Sequence, residues 1–434
     1  MKFNTKDIKK ALGVNVPVYD GCFEISTDTR TIKSGDLYLP LKGASFDGEA
    51  FCDKAISAGA IGCFYTKESP CDFAIKVEDT LETYLRIANY ARRKVNPIVI
   101  GVTGSSGKTT TKEMAYSVLS EKFITHKTYS NHNNEIGFCQ TVLSMPENCE
   151  ILIVEMGMRG LGEIELITKY AQPDYAVITN AGSAHIGRLG SLDNIAKAKC
   201  EITKGLKKAL IAHNNERIRR FANCDCEKVF YSISDVKILE KRSGYSKFEY
   251  KGQVYELNVE GDYNIENSIS AIELGLHLGM KSEDIKAGLL KYHPIEKRWE
   301  VEKIKGFNII NDSYNANPES MKASVSTFIE LYKNPVVVLG NMGELGDDEI
   351  EFHRNVGRYL GEKYHNIPAK YITVGDLANY IGEELSKSGL NVKHFDDNNA
   401  TSRYILDNLH ASCTIFLKAS RAMKFEEIIE NLKK

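Results

Sequence analysis

PIVIGVTGSSGKTTT, residues 97–111, is an apolar run that breaks into a glycine-rich turn and ends on Gly107, Lys108 and Thr109. The β-branched run 98–100, bounded by Pro97 and Gly101, suits a buried strand. Lys112, Glu113, Met114, Ala115, Val118 and Leu119 then follow in an amphipathic pattern that predicts a helix. Strand, glycine turn and helix N-terminus in that order aim backbone N–H groups and a helix dipole at an anion. Gly104, Ser105, Ser106 and Gly107 form the cradle. Lys108 is placed for β- and γ-phosphate oxygens, and the Thr109 hydroxyl, beside Thr110, for Mg²⁺. The generic pattern GxxxxGK[ST] nevertheless fails, because Val102 stands where it requires glycine; the chain reads G-x-T-G-x-x-G-K-T from Gly101.

Working outward, 434 residues exceed one ordinary domain, and three domains fit best. The expected fold is α/β throughout. A small mixed α/β N-terminal domain takes 1–95, a central P-loop parallel-sheet domain 96–296, and a Rossmann-like C-terminal domain 297–434. Hydrophobic content of 42%, charged content of 26% and a formal net charge of -2 are those of a globular protein with no call for nucleic acid or an anionic membrane surface. The N-terminal MKFNTKDIKKALG has no continuous apolar stretch, and no later run approaches a membrane span, which predicts a cytoplasmic location. Ten cysteines are scattered, so reduced thiols are expected; Cys224 and Cys226 lack the second pair that a metal site needs and read as structural.

In the first region, strands are predicted at 37–41, 61–65 and 73–77 with a helix at 51–58. The Ser26-Thr27-Asp28-Thr29-Arg30 stretch, Gly35-Asp36, Lys42-Gly43 and Asp47-Gly48 read as turns beside strands.

Beyond the phosphate loop, strands alternate with helices, which implies an open parallel sheet whose ligands bind outside the carboxyl ends of the strands. That rule selects Glu155, at the end of the apolar strand 151–154, and His185, in the segment after the strand 175–179. A carboxylate and an imidazole on the same rim as Thr109 are natural Mg²⁺ and phosphate neighbours. Either residue, taken alone, is more often a surface residue than a ligand. The helix predicted at 191–206 starts on Ser191 as cap and carries the stripe Leu192, Ile195, Ile202 and Leu206, which Lys199 completes. A lysine pointing inward either snorkels its ammonium to solvent or is desolvated, and a neutral amine can take up CO₂ to become a carbamate ligand for Mg²⁺.

Asn264 and Asn267 precede a helix predicted at 268–278 and either cap it or read an adenine edge. Residues 292–298 interrupt the pattern as a hinge. Strands at 308–311, 336–339, 371–374 and 414–417 then resume it. GNMGELG at 340–346 is not GxGxxG, so no dinucleotide site is expected. DSYNANP at 312–318 is a dense polar cluster at a strand end, and equally an Asx-rich turn capping the helix after Pro318.

These motifs occur in an order that resembles the Mur ligase family along nearly the whole chain: DTR, TGSSGKTT, NHNNEIG, VEMGMRGLGEI, ITNAGSAHIG, AKAK, GDYNIENSISA, the hinge arginine, DSYNANP and LKASRA. DSYNANP is similar to the branch that adds D-alanyl-D-alanine. The resemblance implies a cytoplasmic, monomeric, ATP- and Mg²⁺-dependent ligase of peptidoglycan precursor synthesis, joining that dipeptide to UDP-N-acetylmuramoyl-tripeptide through an acyl phosphate. It further implies that Lys108 and Thr109 hold phosphate and Mg²⁺, that Glu155 and His185 complete two Mg²⁺ sites, and that Lys199 is carbamylated. Asn264 and Asn267 fall near adenine, Arg298 near the phosphates and Asp312 near the ribose. Thr29, Arg30 and Ser45 fall at the uridine nucleotide, Asn134 on the path of the UDP-linked substrate, and Asn315 and Asn317 at the dipeptide. The chain departs from the family pattern at Ala212, Asn214, Asn215, Tyr263, Asn341 and Ala419. Competing readings are a Mur- or folylpolyglutamate-type ligase with another amine acceptor and a non-catalytic nucleotide-gated binding protein.

Overall fold

The computed structural model describes residues 1–43, 46–295 and 297–434; Ser45 and Glu296 of the hinge lie outside the described residues. Three successive α/β units follow one another. The first holds a four-stranded parallel sheet, Ile25–Ser26, Leu37–Tyr38, Gly62–Tyr65 and Ala74–Lys76, in chain order. These strands are shorter than the sequence pattern predicts. The helix Thr80–Val95 closes the unit: Asp79 accepts the Glu82 N–H at 2.7 Å, and Asn96 ends it at φ 55 just before Pro97.

The central sheet is parallel and six-stranded, in the order Glu227–Tyr231, Ala209–His213, Tyr175–Ile178, Ile98–Thr103, Ile151–Glu155, Thr125–Lys127. The phosphate-loop strand is therefore flanked by the two strands that end at Glu155 and near His185. One face of this sheet shares a continuous core with the N-terminal unit, from Phe3, Leu37 and Phe64 to Leu152, Ile195 and Ile202. The other face packs under the helices Lys108–Leu119 and Asp262–His277 and a three-stranded antiparallel sheet, Lys237–Arg242, Tyr245–Tyr250 and Gln253–Leu257.

The third unit is a six-stranded sheet in the order Glu300–Ile304, Phe307–Asn311, Thr414–Lys418, Pro335–Gly340, Lys370–Val374, Asn391–Phe395. It is parallel except for the first, edge pair. Helices cover both of its faces, each over its own core. Among the described residues no helix is long and apolar enough to cross a membrane, and all ten cysteines are free.

Two predicted helices are corrected. The helix expected at 268–278 begins a turn and a half earlier, at Asp262, because Gly261 at φ 100 supplies the break and Asp262 suits the positive N-terminus. The helix expected at 191–206 stops at Cys200 and continues as a 3₁₀ turn, Glu201–Thr203.

Candidate functional site

Above the carboxyl ends of the central strands lies a cavity of about 1020 Å³ that the central and C-terminal units line together. Residues 105–110, Asn134, Glu155, His185, Asn264, Asn267, Arg298, Asp312, Asn315 and Asn317 all line it. Thr29 and Arg30 are not brought there; they sit at an exposed turn where the Arg30 guanidinium and backbone amide hold the Asp28 carboxyl down to about 2.

The loop is shaped by glycine and by a neighbouring asparagine. Gly104 sits at φ 155, where a Cβ would lie 1.8 Å from Thr179 Oγ1; Gly107, at φ 78, starts the helix, and a Cβ there would lie 2.5 Å from Asn267 Oδ1. Asn180 Oδ1 accepts the Ser105 and Ser106 N–H groups at 3.0 Å each, and its amide donates to Ser106 Oγ at 2.9 Å. Gly101, in the strand below, leaves room for Ile202: a Cβ there would meet its Cδ1 at 2.8 Å, so the segment after Lys199 packs directly on the phosphate-loop strand.

Glu155 is 2% exposed at the base of the cavity. It accepts Thr109 Oγ1 at 3.0 Å and Asn133 Nδ2 at 3.0 Å, and Lys112 Nζ lies 3.4 Å from it. Burial pushes its carboxyl up, but Lys112, Lys108, Asn133 and Arg298 together outweigh this and hold it ionised, below the usual carboxylate range. Lys108 donates to Gly104 O at 2.8 Å, and burial pushes its ammonium down. Lys199 is 1% exposed, so it does not snorkel, and it has no hydrogen-bond or ion-pair partner among the described residues. Burial, then the nearby Lys108, push its amine well below the ordinary lysine range. It is not among the residues that line the cavity.

His185 occupies the left-handed region at φ 67, ahead of the short helix Ile186–Leu189, and its Nδ1 lies 2.5 Å from Glu344 Oε2, at ion-pair distance but without hydrogen-bond alignment. Burial lowers its pKa, and Glu344 offsets this only in part. Across the cavity Arg298 stacks 3.8 Å from the centre of the Tyr314 ring, with its buried Nε lacking a hydrogen-bond partner among the described residues. Asp312 accepts Lys418 Nζ at 2.6 Å.

The asparagines divide. Neither Asn264 nor Asn267 caps the helix, whose N-cap is Gly261; Asn264 donates to Glu260 O at 2.7 Å, and both lie in the first two helical turns. Asn134 and Asn317 do cap, accepting Gly137 N–H and Ser320 N–H at 2.9 Å each. Asn315 Oδ1 accepts the adjacent Ala316 N–H at 2.9 Å. Two of the departures are structural in the same way: Asn341 accepts Ala378 N–H at 2.8 Å, and Asn215 caps Glu216–Phe221.

Among the described residues no three His, Cys, Asp or Glu side chains are grouped to hold a metal ion alone. An ionised Glu155 and the Thr109 hydroxyl are oxygen donors that would suit Mg²⁺, and His185 lines the same cavity. An orphaned Arg298 Nε above them suits the anion. Lys112, Asn133, Asn180, Glu319, Glu344 and Lys418 belong to this site or its frame and were not singled out by sequence. The signal for Lys112 was available, since it shares a helix face with Thr109.

Residues 102–275 match the family model described as Mur ligase middle domain, and 297–421 that described as Mur ligase, glutamate ligase domain. The chain belongs to the Mur ligase family. Over most of its length it is similar to UDP-N-acetylmuramoyl-tripeptide--D-alanyl-D-alanine ligases: that of Bacillus subtilis is 37% identical, covering 94% of this chain and 92% of that protein, and that of Escherichia coli 30% identical, covering 94% and 93%. Among solved structures, MurF from Acinetobacter baumannii superposes with a TM-score of 0.92 at 27% identity, covering 100% of this chain and 99% of that one. MurF ligase from Thermotoga maritima in complex with ADP gives 0.84 at 26% identity, covering 94% and 97%.

Proposed function

We propose that the protein is an ATP-dependent ligase that joins D-alanyl-D-alanine to the terminal carboxylate of UDP-N-acetylmuramoyl-tripeptide, in the cytoplasmic synthesis of peptidoglycan precursor. The observation that carries this reading is the convergence of the phosphate loop, Glu155 and His185 from one unit and Asp312, Asn315 and Asn317 from the next on a single cavity. Similarity to the tripeptide–dipeptide ligases over both units supports the choice of substrates. The division at residues 95/96 and 296/297, and action as a monomer, belong to the same reading.

A carboxylate is a poor acyl donor and must first exchange an oxygen for a leaving group, which ATP supplies as phosphate. Lys108 offsets charge on the transferring phosphoryl group, while the loop amides and Arg298 hold the phosphates. Thr109, Glu155 and His185 would hold Mg²⁺, which when bound would supply further neutralisation of the negative charge. Asn264, Asn267 and Asp312 orient the nucleoside; Asn134, Thr29, Arg30 and Ser45 serve the UDP-linked substrate. The dipeptide amine, held near Asn315 and Asn317, then attacks the acyl phosphate and phosphate leaves. Burial of Lys199 favours its neutral amine, the form that takes up CO₂, which supports a carbamate at this position.

Phosphate release from ATP tests the assignment. It is expected to require both the UDP-tripeptide and D-alanyl-D-alanine; dependence on a different amine, or no turnover, contradicts it. Lys199→Ala is expected to lose activity that a small added carboxylate partly restores. Full activity in that variant, or no rescue, removes the carbamate.

A further inference from the structure

The contacts around His185 come from the other side of the domain boundary. Glu344, itself at φ 61, places one carboxylate oxygen 2.5 Å from His185 Nδ1 and the other 3.6 Å from Arg188 Nε. Its backbone oxygen accepts the Gly187 N–H at 3.2 Å. Gly187 and Gly346 meet so closely that a Cβ on Gly187 would lie 2.4 Å from Gly346 N. Glu319 grips the same segment, accepting Ser183 N–H at 3.1 Å and Ser183 Oγ–H at 2.8 Å. The loop that carries His185 is thus held from the C-terminal unit at three successive points.

We propose that Glu344 is a positioning residue for His185, supplied across the domain boundary, so that the imidazole is set to bind a divalent cation only when the C-terminal unit is docked. The proposal rests on the reading of His185 as a metal ligand. The Glu344 carboxylate, 2.5 Å from Nδ1 without hydrogen-bond alignment, favours by its charge a proton on that nitrogen and so leaves the Nε2 lone pair for a metal; partners at the second ring nitrogen are worth about 10- to 100-fold in metal affinity. Ser183–Glu319 serves as the second anchor, and the left-handed backbone of His185 is held by both. Cation binding and domain docking then favour one another, since each completes the other's contacts.

The test uses the full-length protein with a non-hydrolysable ATP analogue and Mn²⁺, counting free Mn²⁺ by electron paramagnetic resonance, with small-angle scattering on the same samples. Glu344→Ala is expected to weaken one Mn²⁺ site about 10-fold or more. Glu344→Gln, which keeps the length of the side chain but not its charge, is expected to fall between Ala and wild type. Wild-type Mn²⁺ binding in Glu344→Ala overturns the proposal. So does equal weakening in the Ala and Gln variants accompanied by a loosened scattering profile, because Glu344 would then act only as a structural contact. Unchanged Mn²⁺ binding in His185→Ala overturns the metal assignment on which the proposal rests, and leaves dipeptide-dependent phosphate release as a separate question.

Discussion

Lys112 and Glu155 show how the site's charge balance is built from residues far apart in sequence. Lys112 is fully buried, donates to Ser130 O at 3.1 Å and faces both Glu113 and Glu155 at 3.3 and 3.4 Å. Replacing it with methionine keeps the volume and leaves Glu155 without its nearest cation. Lys112→Met is therefore expected to cost about 3 kcal/mol in urea unfolding and to weaken nucleotide binding, whereas an unchanged unfolding midpoint would show that Lys108 suffices. At Gly104 the constraint is steric, since a side chain would enter Thr179 at 1.8 Å and strain φ 155. Gly104→Ala should reduce ATP affinity at least 10-fold by calorimetry, by displacing the Ser105 and Ser106 amides from Asn180. Glu155 and His185 were legible in the sequence because strand ends face ligands in a parallel sheet. Lys112 could have been found from the helix face it shares with Thr109, but Asn180 could not: its partners are set by packing between segments that no local pattern connects.

Elements were legible where apolar runs end sharply, as at Ile98–Thr103 and Ile151–Glu155. They were misread where a helix starts with polar residues: Asp262 to Asn267 looked like a loop, yet the core under Ile265 and Ile269 carries the helix through it. The edge strands Glu300–Ile304 and Asn391–Phe395 and the antiparallel sheet from 237 to 257 were missed because their exposed faces are charged and dilute the pattern. The segment GNMGELG gave no signal of its support either. His353, fully buried, accepts Met342 N–H at Nε2 (2.9 Å), with Nδ1 on Glu349 O, and burial lowers its pKa. The neutral ring fits and the charged one does not. Its contribution is present above the unfolded-state value near 6.5 and is lost as pH falls below it, because the unfolded chain takes up the proton first. Unfolding free energy should fall by up to about 1.4 kcal/mol per pH unit below that point. The slope should flatten in His353→Gln, and an equal slope in both proteins would move the effect elsewhere.

At the scale of the molecule, the order of units followed from the motif order, but their mutual contacts did not. The first unit is not independent of the second: the helix Thr80–Val95 buries Leu85, Ala88 and Ala91 in the core that also holds Phe138 and Val142. The second and third meet at Gly187 and Gly346, where only glycine permits the approach. Gly187→Ala should enlarge the radius of gyration in small-angle scattering and lower activity, while the nucleotide still binds the central unit; a wild-type profile would show that the contact yields freely.

All of these arrangements serve one chemical claim, that phosphate is passed to the tripeptide carboxylate before the amine attacks. The direct measurement is the fate of ¹⁸O placed in the terminal carboxylate of the UDP-linked tripeptide, read by mass spectrometry of the phosphate released in the presence of ATP and D-alanyl-D-alanine. The mechanism predicts one ¹⁸O in each phosphate formed. Phosphate free of label, with dipeptide incorporated, would contradict it.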